Sequence, residues 1–232
     1  MLEINKIYDQ DCLEGMKLLN DRSIDLICTD LPYGVTQNKS DIVIPFEPLW
    51  KQYERIIKEN GAIVLFGQGV FYIDLVESNR KLFRYDLVWD KMLTTGFLNA
   101  KKMPLRQHEQ IAVFYKKLQH TILSPPLENN YGKFVRNDDC RAGSTEKYPT
   151  SIIRIQKPHP SKAKHRTAKP VELIEWIIKT YTNPGEIVLD SCAGSGTTAI
   201  AAMNTGRNWI CFENDKDIYE VAKERIKEHQ QR

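Results

Sequence analysis

The chain has 232 residues, which is enough for one medium α/β domain with a small insertion. Its hydrophobic fraction of 41% can fill an ordinary core, and no apolar run approaches the roughly 20 residues of a membrane span, so no membrane helix is expected. The first residues lack a signal-peptide layout and the five cysteines form no CxxC pair, which predicts reduced thiols in the cytoplasm rather than a zinc cluster or a disulfide framework.

The first half of the chain alternates strand and helix patterns, which predicts a mostly parallel sheet covered by helices on both faces. The expected strands are Lys6–Tyr8, Ile24–Thr29, Ala62–Phe66, Tyr85–Trp89 and Ile111–Tyr115. The expected helices are Leu13–Leu19, a helix marked by Trp50, Tyr53, Ile56 and Ile57 between Pro48 and Gly61, and Val70–Asn79. Val35–Pro45 and Met92–Gln107 are predicted loops that flank the site.

The periodic pattern is lost between Lys116 and Arg166, in a stretch rich in Pro, Asn, Lys and Arg. Regular order returns at Pro170, a residue that suits the start of a helix. The later expected elements are a helix with one apolar face from Val171 to Tyr181, a strand at Ile187–Leu189, a helix at Thr197–Met203, a strand at Trp209–Phe212 and a helix at Ile218–Ile226.

The net charge of +3 is unevenly distributed along the chain. The segment Ala100–Lys169 contains 15 Lys or Arg and 5 Asp or Glu, a net +10, whereas the rest of the chain carries a net −7. Such segregation is typical of a catalytic body with a basic surface for a polyanion. A solvated charged face explains the charge alone about equally well.

A glycine loop follows the strand that ends at Leu189, with the sequence Asp-Ser-Cys-Ala-Gly-Ser-Gly-Thr-Thr. Gly194 and Gly196 allow a ligand to approach the backbone closely. Glu213 lies 17 residues after Gly196, at the end of the next strand, where a carboxylate can bind both hydroxyls of a ribose. The pattern alone suits a nicotinamide dinucleotide as well as S-adenosylmethionine, and a purely structural turn also stays open. A nucleotide-triphosphate P-loop is set aside, because no lysine follows Gly196. Asp190 favours S-adenosylmethionine, which carries cationic groups.

The segment Asp30-Leu31-Pro32-Tyr33 directly follows the strand that ends at Thr29. An exocyclic amine of a base is a poor nucleophile because its lone pair is delocalised into the ring. The carboxylate of Asp30 and the carbonyl of Leu31 can accept its two hydrogens and localise that lone pair. Pro32 stiffens the loop, and Tyr33 offers a flat face on which the base can stack.

With this segment the chain resembles the amino-methylating DNA methyltransferases, whose signature is Asp/Asn/Ser-Pro-Pro-Tyr. The segment precedes the glycine loop by about 160 residues, an order that resembles the β group of that family. No metal is assigned, because neither a third ligand nor a CxxC pair accompanies His159 and His165. The resemblance implies a Rossmann-like, circularly permuted methyltransferase fold with a doubly wound sheet, and S-adenosylmethionine as cofactor. It divides one domain into a catalytic half at 1–117, a target-recognition segment at 118–164 and a cofactor-binding half at 165–232.

The resemblance also implies two sets of site residues. The catalytic set is Asp30, Leu31, Pro32 and Tyr33. The cofactor-binding set is Asp11, Cys12, Asp30, Thr167, Lys169, Asp190, Cys192, Gly194, Gly196, Thr197 and Glu213. Three residues depart from the family pattern: Leu31 and Arg166 replace prolines, and Cys192 replaces a phenylalanine and is interpreted as a small buried thiol rather than a nucleophile. His108-Glu109 resembles a family element before a strand, for which a structural and a functional role both stay open.

DNA is the expected partner of the basic segment, because a base within a duplex must be flipped out before it can be methylated. The candidate DNA-binding residues are Lys133, Arg136, Arg141, Arg154, Lys157, Lys162 and Lys164. The recognition segment is short, so a homodimer is also considered, as is a cognate restriction endonuclease. The leading hypothesis is methylation of adenine N6; the alternatives are methylation of cytosine N4 and an inactive module that binds cofactor and DNA. Cytosine-C5 methylation is disfavoured, because no cysteine follows a proline.

Overall fold

The computed structural model describes residues 2–34, 41–117, 149–157 and 169–231. Within these ranges the strands are β1 (Lys6–Asp9), β2 (Ile24–Thr29), β3 (Ile57–Gly67), β4 (Phe83–Thr95), β5 (Arg106–Tyr115), β6 (Ile152–Arg154), β7 (Ile187–Asp190) and β8 (Asn208–Glu213). The helices are α1 (Cys12–Lys17), α2 (Phe46–Ile56), α3 (Gly69–Ser78), α4 (Val171–Tyr181), α5 (Thr197–Asn204) and α6 (Lys216–Gln230). A single 3₁₀ turn at Phe97–Asn99 lies between β4 and β5.

The eight described strands form one sheet in the order β1-β8-β7-β2-β3-β5-β4-β6. The neighbours from β1 to β3 are parallel, and β4 and β6 are also parallel to each other. Among these strands only β5 runs the other way, between β3 and β4. The α/β class and the mostly parallel sheet predicted from the sequence are therefore confirmed, with one reversed strand added.

Helices cover both faces of the sheet, as the unbroken burial of β2 requires. One core cluster packs α4, α5 and α6 on one face, around Trp176, Ile177 and Trp209. The other packs α1, α2 and α3 on the opposite face, around Met16, Tyr53 and Phe212. No described helix has the length and apolar character that crossing a membrane demands.

Three expectations about the elements need correction. Ile57 belongs to β3 rather than to the preceding helix, because α2 ends at Ile56 and the chain turns directly into the sheet. The loop expected at Met92–Gln107 is shorter, because β4 continues to Thr95 and β5 begins at Arg106. The stretch expected to lack regular structure contains β6, which pairs with the outer edge of β4.

Candidate functional site

The carboxyl ends of three adjacent parallel strands, β8, β7 and β2, form the edge of the sheet on which the site is built. Ligands of open α/β sheets bind outside this edge. The loop after β2 and the loop after β7 are joined directly, since the Ser191 amide donates to Thr29 Oγ1 at 3.1 Å. The buried hydroxyls of Tyr53 and Ser191 lie 2.6 Å apart and tie α2 to the same point. The structure thus brings together two segments that are about 160 residues apart in the sequence.

The glycine loop turns sharply between β7 and α5. Gly194 and Gly196 have φ values of 50° and 77°, a left-handed conformation that side chains other than glycine rarely adopt. Apart from Gly194 and its two chain neighbours, no described residue has an atom within 4 Å of the position that a Cβ would take at Gly194, so the loop faces open space there. A ligand can therefore lie directly against the backbone, as the nucleoside part of S-adenosylmethionine would require.

Two buried carboxylates flank the glycine loop. Glu213 Oε2 accepts from the Gly194 amide at 2.8 Å and its Oε1 accepts from the backbone amide of Asp215 at 3.0 Å, while burial raises the pKa of this carboxyl. Asp190 Oδ1 accepts from the Cys192 amide at 3.1 Å and its Oδ2 accepts from Thr198 Oγ1 at 2.6 Å. Burial outweighs these hydrogen bonds and raises the pKa of Asp190 to about 6. Such a carboxylate gains most from a cationic ligand.

The Asp30–Tyr33 segment lies at the same edge with its carboxylate held on both oxygens. The Tyr33 hydroxyl donates to Asp30 Oδ1 at 2.7 Å, and Lys169 Nζ donates to Asp30 Oδ2 at 2.5 Å. The ring of Tyr33 stacks on Phe71, with centroids 4.7 Å apart and planes inclined by 27°. Leu31 is buried and anchors the segment in the core. The Asp30 side chain remains one-third exposed, so it is accessible to a ligand at this edge of the sheet.

Lys169 also pairs with Glu109 Oε2 at 3.1 Å, and both side chains are only 11% exposed. Burial opposes the charge on Lys169, but the carboxylates of Asp30 and Glu109 outweigh it and raise the pKa of this lysine. Lys169 is therefore a cation at neutral pH. Its observed contacts are with Asp30 and Glu109. Its predicted role in cofactor binding stays a prediction.

The family model of the DNA methylases, which covers enzymes acting on N6 or N4 amines, matches residues 24–224. The chain belongs to this DNA methylase family. It is 29% identical to the type II methyltransferase M1.MboII of Moraxella bovis, over 90% of this chain and 92% of that protein. It is also 29% identical to the type II methyltransferase M.HinfI of Haemophilus influenzae, over 97% of this chain and 69% of that protein.

Solved structures of other methyltransferases have the same fold. The crystal structure of the M1.HpyAVI–SAM complex matches with a TM-score of 0.66 and 26% identity, over 95% of this chain and 98% of that one. PvuII DNA methyltransferase, described as cytosine-N4-specific, matches with a TM-score of 0.69 but 18% identity, over 98% of this chain and 91% of that one. The latter likeness concerns the fold alone. The cofactor of this methylase is S-adenosylmethionine, and DNA is its substrate.

The other predicted cofactor residues of the methylase lie at the ends of its elements. Asp11 caps α1, where its Oδ1 accepts from the amides of Leu13 and Glu14 at 2.9 and 3.2 Å. Cys12 is buried, and Cys192 packs beside it at the start of the glycine loop. A hydrogen bond to Cys12 and burial raise the pKa of Cys192, so its thiol stays protonated, as a small packing residue should. Thr167 and Arg166 lie outside the described residues.

Two of the predicted DNA-binding residues can be located in the methylase. Arg154 is exposed on β6, with Nε 3.8 Å from Asp90 Oδ2. The Lys157 amide donates to the Lys91 carbonyl at 3.0 Å, and burial lowers the pKa of its side chain, which also faces Lys169 and Glu109. The remaining candidates fall outside the described residues: Lys133, Arg136, Arg141, Lys162 and Lys164. Within the described ranges, no group of three or more His, Cys, Asp or Glu side chains could hold a metal ion.

Sequence reasoning missed two features of the structure. Arg225, on α6, donates from Nη1 to the carbonyl and the Oγ of Ser195 at 2.9 Å each and to Thr197 Oγ1 at 3.0 Å, so it braces the glycine loop. No local signal distinguishes it among the charged residues of α6. The second missed feature lies within the stretch expected as a loop beside the site: the hairpin between β4 and β5 exposes the apolar side chains of Phe97 and Leu98, 81% and fully accessible, beside Lys101 and Lys102. The apolar pair Phe97-Leu98 so close to Lys101 and Lys102 in the sequence could have indicated an exposed apolar surface.

Proposed function

We propose that this DNA methyltransferase methylates the N6 amine of adenine. The observation that carries the proposal is the position of the Asp30 carboxylate beside the glycine loop, with the Thr29–Ser191 hydrogen bond fixing the two loops to one another. An aspartate at the head of the catalytic segment is the form that favours adenine in the family resemblance. Methylation of cytosine N4 uses the same chemistry and is the outcome to be tested against it.

Asp30 and the Leu31 carbonyl would accept the two hydrogens of the target amine. Although Tyr33 and Lys169 already bond Asp30, each carboxylate oxygen has two lone pairs, so Oδ1 can accept a further hydrogen without releasing Tyr33. Tyr33 rests on Phe71 with one face and would stack the flipped base on the other. S-adenosylmethionine supplies the methyl group on a sulfonium. The chain holds the amine in line with it, and proximity and orientation provide much of the rate.

On the cofactor side, we infer that Glu213 binds the ribose hydroxyls and that Asp190 faces the cationic methionine end. Both are buried acceptors at the ends of β7 and β8, the two strands that follow β2 across the sheet, and both carry raised pKa values that a bound ligand's donors would lower again. The open space in front of Gly194 admits the nucleoside between them. Asp11, Cys12, Thr167, Lys169, Cys192, Gly196 and Thr197 are proposed as the remaining wall of this pocket.

The test is methyl transfer from labelled S-adenosylmethionine to unmethylated DNA, followed by digestion to nucleosides and chromatography. N6-methyladenine in the product, absent when Asp30→Ala is used, is the expected result. N4-methylcytosine in the product would instead identify cytosine as the target base. Retention of activity by Asp30→Ala would refute the catalytic assignment, and a wild-type chain that binds cofactor and DNA without transfer would make it an inactive module.

We further propose that the segment 118–164 reads the target, that the enzyme acts as a homodimer, and that it protects DNA against a cognate restriction endonuclease in the cytoplasm. The recognition segment is short for a complete target site, which favours DNA contacts from a second subunit. The relatives M1.MboII and M.HinfI are named type II methyltransferases. Sedimentation with and without DNA tests the dimer, since a monomer in both conditions would contradict it.

A further inference from the structure

A row of alternating buried charges connects the catalytic segment to the distant strand β4. Lys91 Nζ lies 3.5 Å from Glu109 Oε1, Lys169 Nζ lies 3.1 Å from Glu109 Oε2, and Lys169 Nζ lies 2.5 Å from Asp30 Oδ2. Lys91 lies on β4 and Glu109 on β5, Lys169 immediately precedes Pro170, and Asp30 immediately follows β2. Lys91 is only 3% exposed, so most of the row is out of water. We call these four residues the charge row.

Lys91 occupies a position that the strand pattern reserves for an apolar side chain. Leu87 and Trp89 are the preceding inward residues of β4, and both are buried in the core. Directly after Lys91 the backbone of Met92 has a φ of 51°, and the pairing with β5 shifts register between Asp90 and Thr95. Such irregularities occur next to active sites, where they re-aim a side chain.

Burying these charges is costly unless each has a partner. Burial opposes the charge on Glu109, but Lys169 and Lys91 outweigh it and lower the pKa of Glu109, so it is ionised. Its buried Oε2 has no partner with hydrogen-bond geometry among the described residues and depends on the charge of Lys169. Apolar residues in place of such pairs are often at least as stable. The row therefore needs a reason other than stability, and its free end is the catalytic carboxylate.

We propose that Glu109 and Lys91 are positioning residues for methyl transfer, which act through Lys169 to hold the Asp30 carboxylate in place and to set its strength as a hydrogen-bond acceptor. The inference rests on the proposed function of Asp30. Glu109 shares the cation of Lys169, so Asp30 keeps more of its negative charge for the target amine than it would with the cation to itself. Lys91 in turn prevents Glu109 from drawing Lys169 away.

The proposal has a pH signature that a packing role lacks. The charged and titratable groups facing Lys169 are Asp30, Glu109, Lys91, Lys157 and the thiol of Cys28. Activity needs Lys169 protonated, so it is present below the pKa of this lysine and lost above it. Neutralising Glu109 removes an anion that raises this pKa while Lys91 and Lys157 remain. Because the pKa of Lys169 is raised, the wild type should keep its activity to high pH, whereas Glu109→Gln should begin to lose activity at lower pH; this loss is the alkaline limb of the profile.

The experiment measures kcat, cofactor Kd by calorimetry and the pH profile for the full chain carrying Glu109→Gln, Glu109→Asp or Lys91→Met. We expect Glu109→Gln to lower kcat by about tenfold to a hundredfold, as misplaced catalytic groups do, with cofactor Kd unchanged. Glu109→Asp keeps the charge and should restore the position of the alkaline limb and part of kcat. Lys91→Met should lower kcat without moving that limb downward.

The matched control is Asp25→Asn at the opposite edge of the sheet. Asp25 is a buried carboxylate that accepts from Lys58 Nζ at 2.7 Å and from the Ile187 amide at 2.9 Å. Its neutralisation should cost stability but leave kcat and the pH profile near wild type. Equal effects in Asp25→Asn and Glu109→Gln, or an unmoved alkaline limb in Glu109→Gln, would overturn the proposal.

Two further outcomes keep the inference separate from the proposed function. If Glu109→Gln fails to bind cofactor because it does not fold, Lys91→Met decides, and an undiminished kcat there overturns the proposal. If Asp30→Ala retains activity in the same assay, the proposed function itself fails and the charge row has no catalytic carboxylate to position. An inactive Asp30→Ala beside a fully active Glu109→Gln overturns the inference alone.

Discussion

Replacing Asp190 with asparagine tests the cofactor site most directly, because it removes a charge with little change of shape. Asparagine keeps a single acceptor oxygen, so one of the donors, the Cys192 amide or the Thr198 hydroxyl, loses its partner. A hydrogen bond between a carboxylate and a cationic ligand is worth roughly 1.5–3 kcal/mol. We therefore expect the Kd of S-adenosylmethionine to rise about 10- to 150-fold.

The raised pKa of Asp190 adds a pH dependence of known sign. Burial places this pKa at about 6 in the free protein, and the ionised form is the one that attracts a cation. Affinity should be near its maximum at pH 7 and fall about tenfold by pH 5, one unit below the pKa.

The folded carboxyl binds its proton more tightly than the unfolded one. Its contribution to stability, about 3 kcal/mol, is therefore present at acid pH and lost as pH rises through 6.

Calorimetric titration of the wild type and Asp190→Asn at pH 7 and pH 5 provides the assay. The affinity of the wild type for S-adenosylmethionine should fall between pH 7 and pH 5, while the affinity of the asparagine variant should be low and equal at both pH values. Thr198→Val is the matched control, since it removes one hydrogen bond and leaves the charge. A wild-type affinity that is the same at pH 5 and pH 7, or an Asp190→Asn affinity near wild type, would refute the assignment of Asp190 to the cationic end of the cofactor.

Three other variants probe the remaining parts of the site. Arg225→Ala should weaken cofactor binding about tenfold, because the glycine loop loses three hydrogen bonds to one guanidinium. The kcat at saturating cofactor should be unchanged. A cofactor Kd equal to that of the wild type, measured by calorimetry, would contradict the bracing role. The double variant Phe97→Ala, Leu98→Ala should weaken DNA binding in a fluorescence titration, because apolar side chains of this kind can enter a base stack. Its Tm should be unchanged, because both side chains are exposed. Unaltered DNA affinity would exclude the hairpin from the interface. Tyr33→Ala should lower kcat about 5- to 150-fold more than Tyr33→Phe, since a stacking ring is worth roughly 1–3 kcal/mol per base, and equal rates would show that the hydroxyl matters rather than the ring.

Local pattern predicted most of the described elements because the sheet is buried on both faces. The bounds of β2 were predicted as found, since its buried residues run without interruption between polar ends. The strand β6 was missed because three residues with one buried side chain leave no period to detect. The ends of β4 and β5 were expected to be loop, whereas Thr95 pairs with Arg106 and resumes the ladder after a shift of register, which no alternating pattern around Gly96 and Pro104 reveals.

The candidate site was predictable as a set of motifs but not as a set of contacts. The residue types of Asp30, Asp190 and Glu213 and their places at strand ends are enough to indicate the chemistry. The pairing of Lys169 with Asp30 joins residues 139 positions apart, and the burial of Glu109 between two lysines depends on three strands and a helix start meeting. No local pattern encodes such contacts, since each residue alone has the character of an ordinary surface charge.

The sheet order explains why the proposed catalytic segment can precede the proposed cofactor loop in the chain. β7 lies directly beside β2, so Leu26 and Ile27 pair with Val188 and Leu189, and both strands end at the same height. Two residues beyond the last of these pairs, where the two loops begin, the Ser191 amide donates to Thr29 Oγ1. Methyl transfer requires donor and acceptor to be held to within about an ångström. A continuous backbone ladder supplies that rigidity whichever strand comes first, so the permuted order costs the reaction nothing.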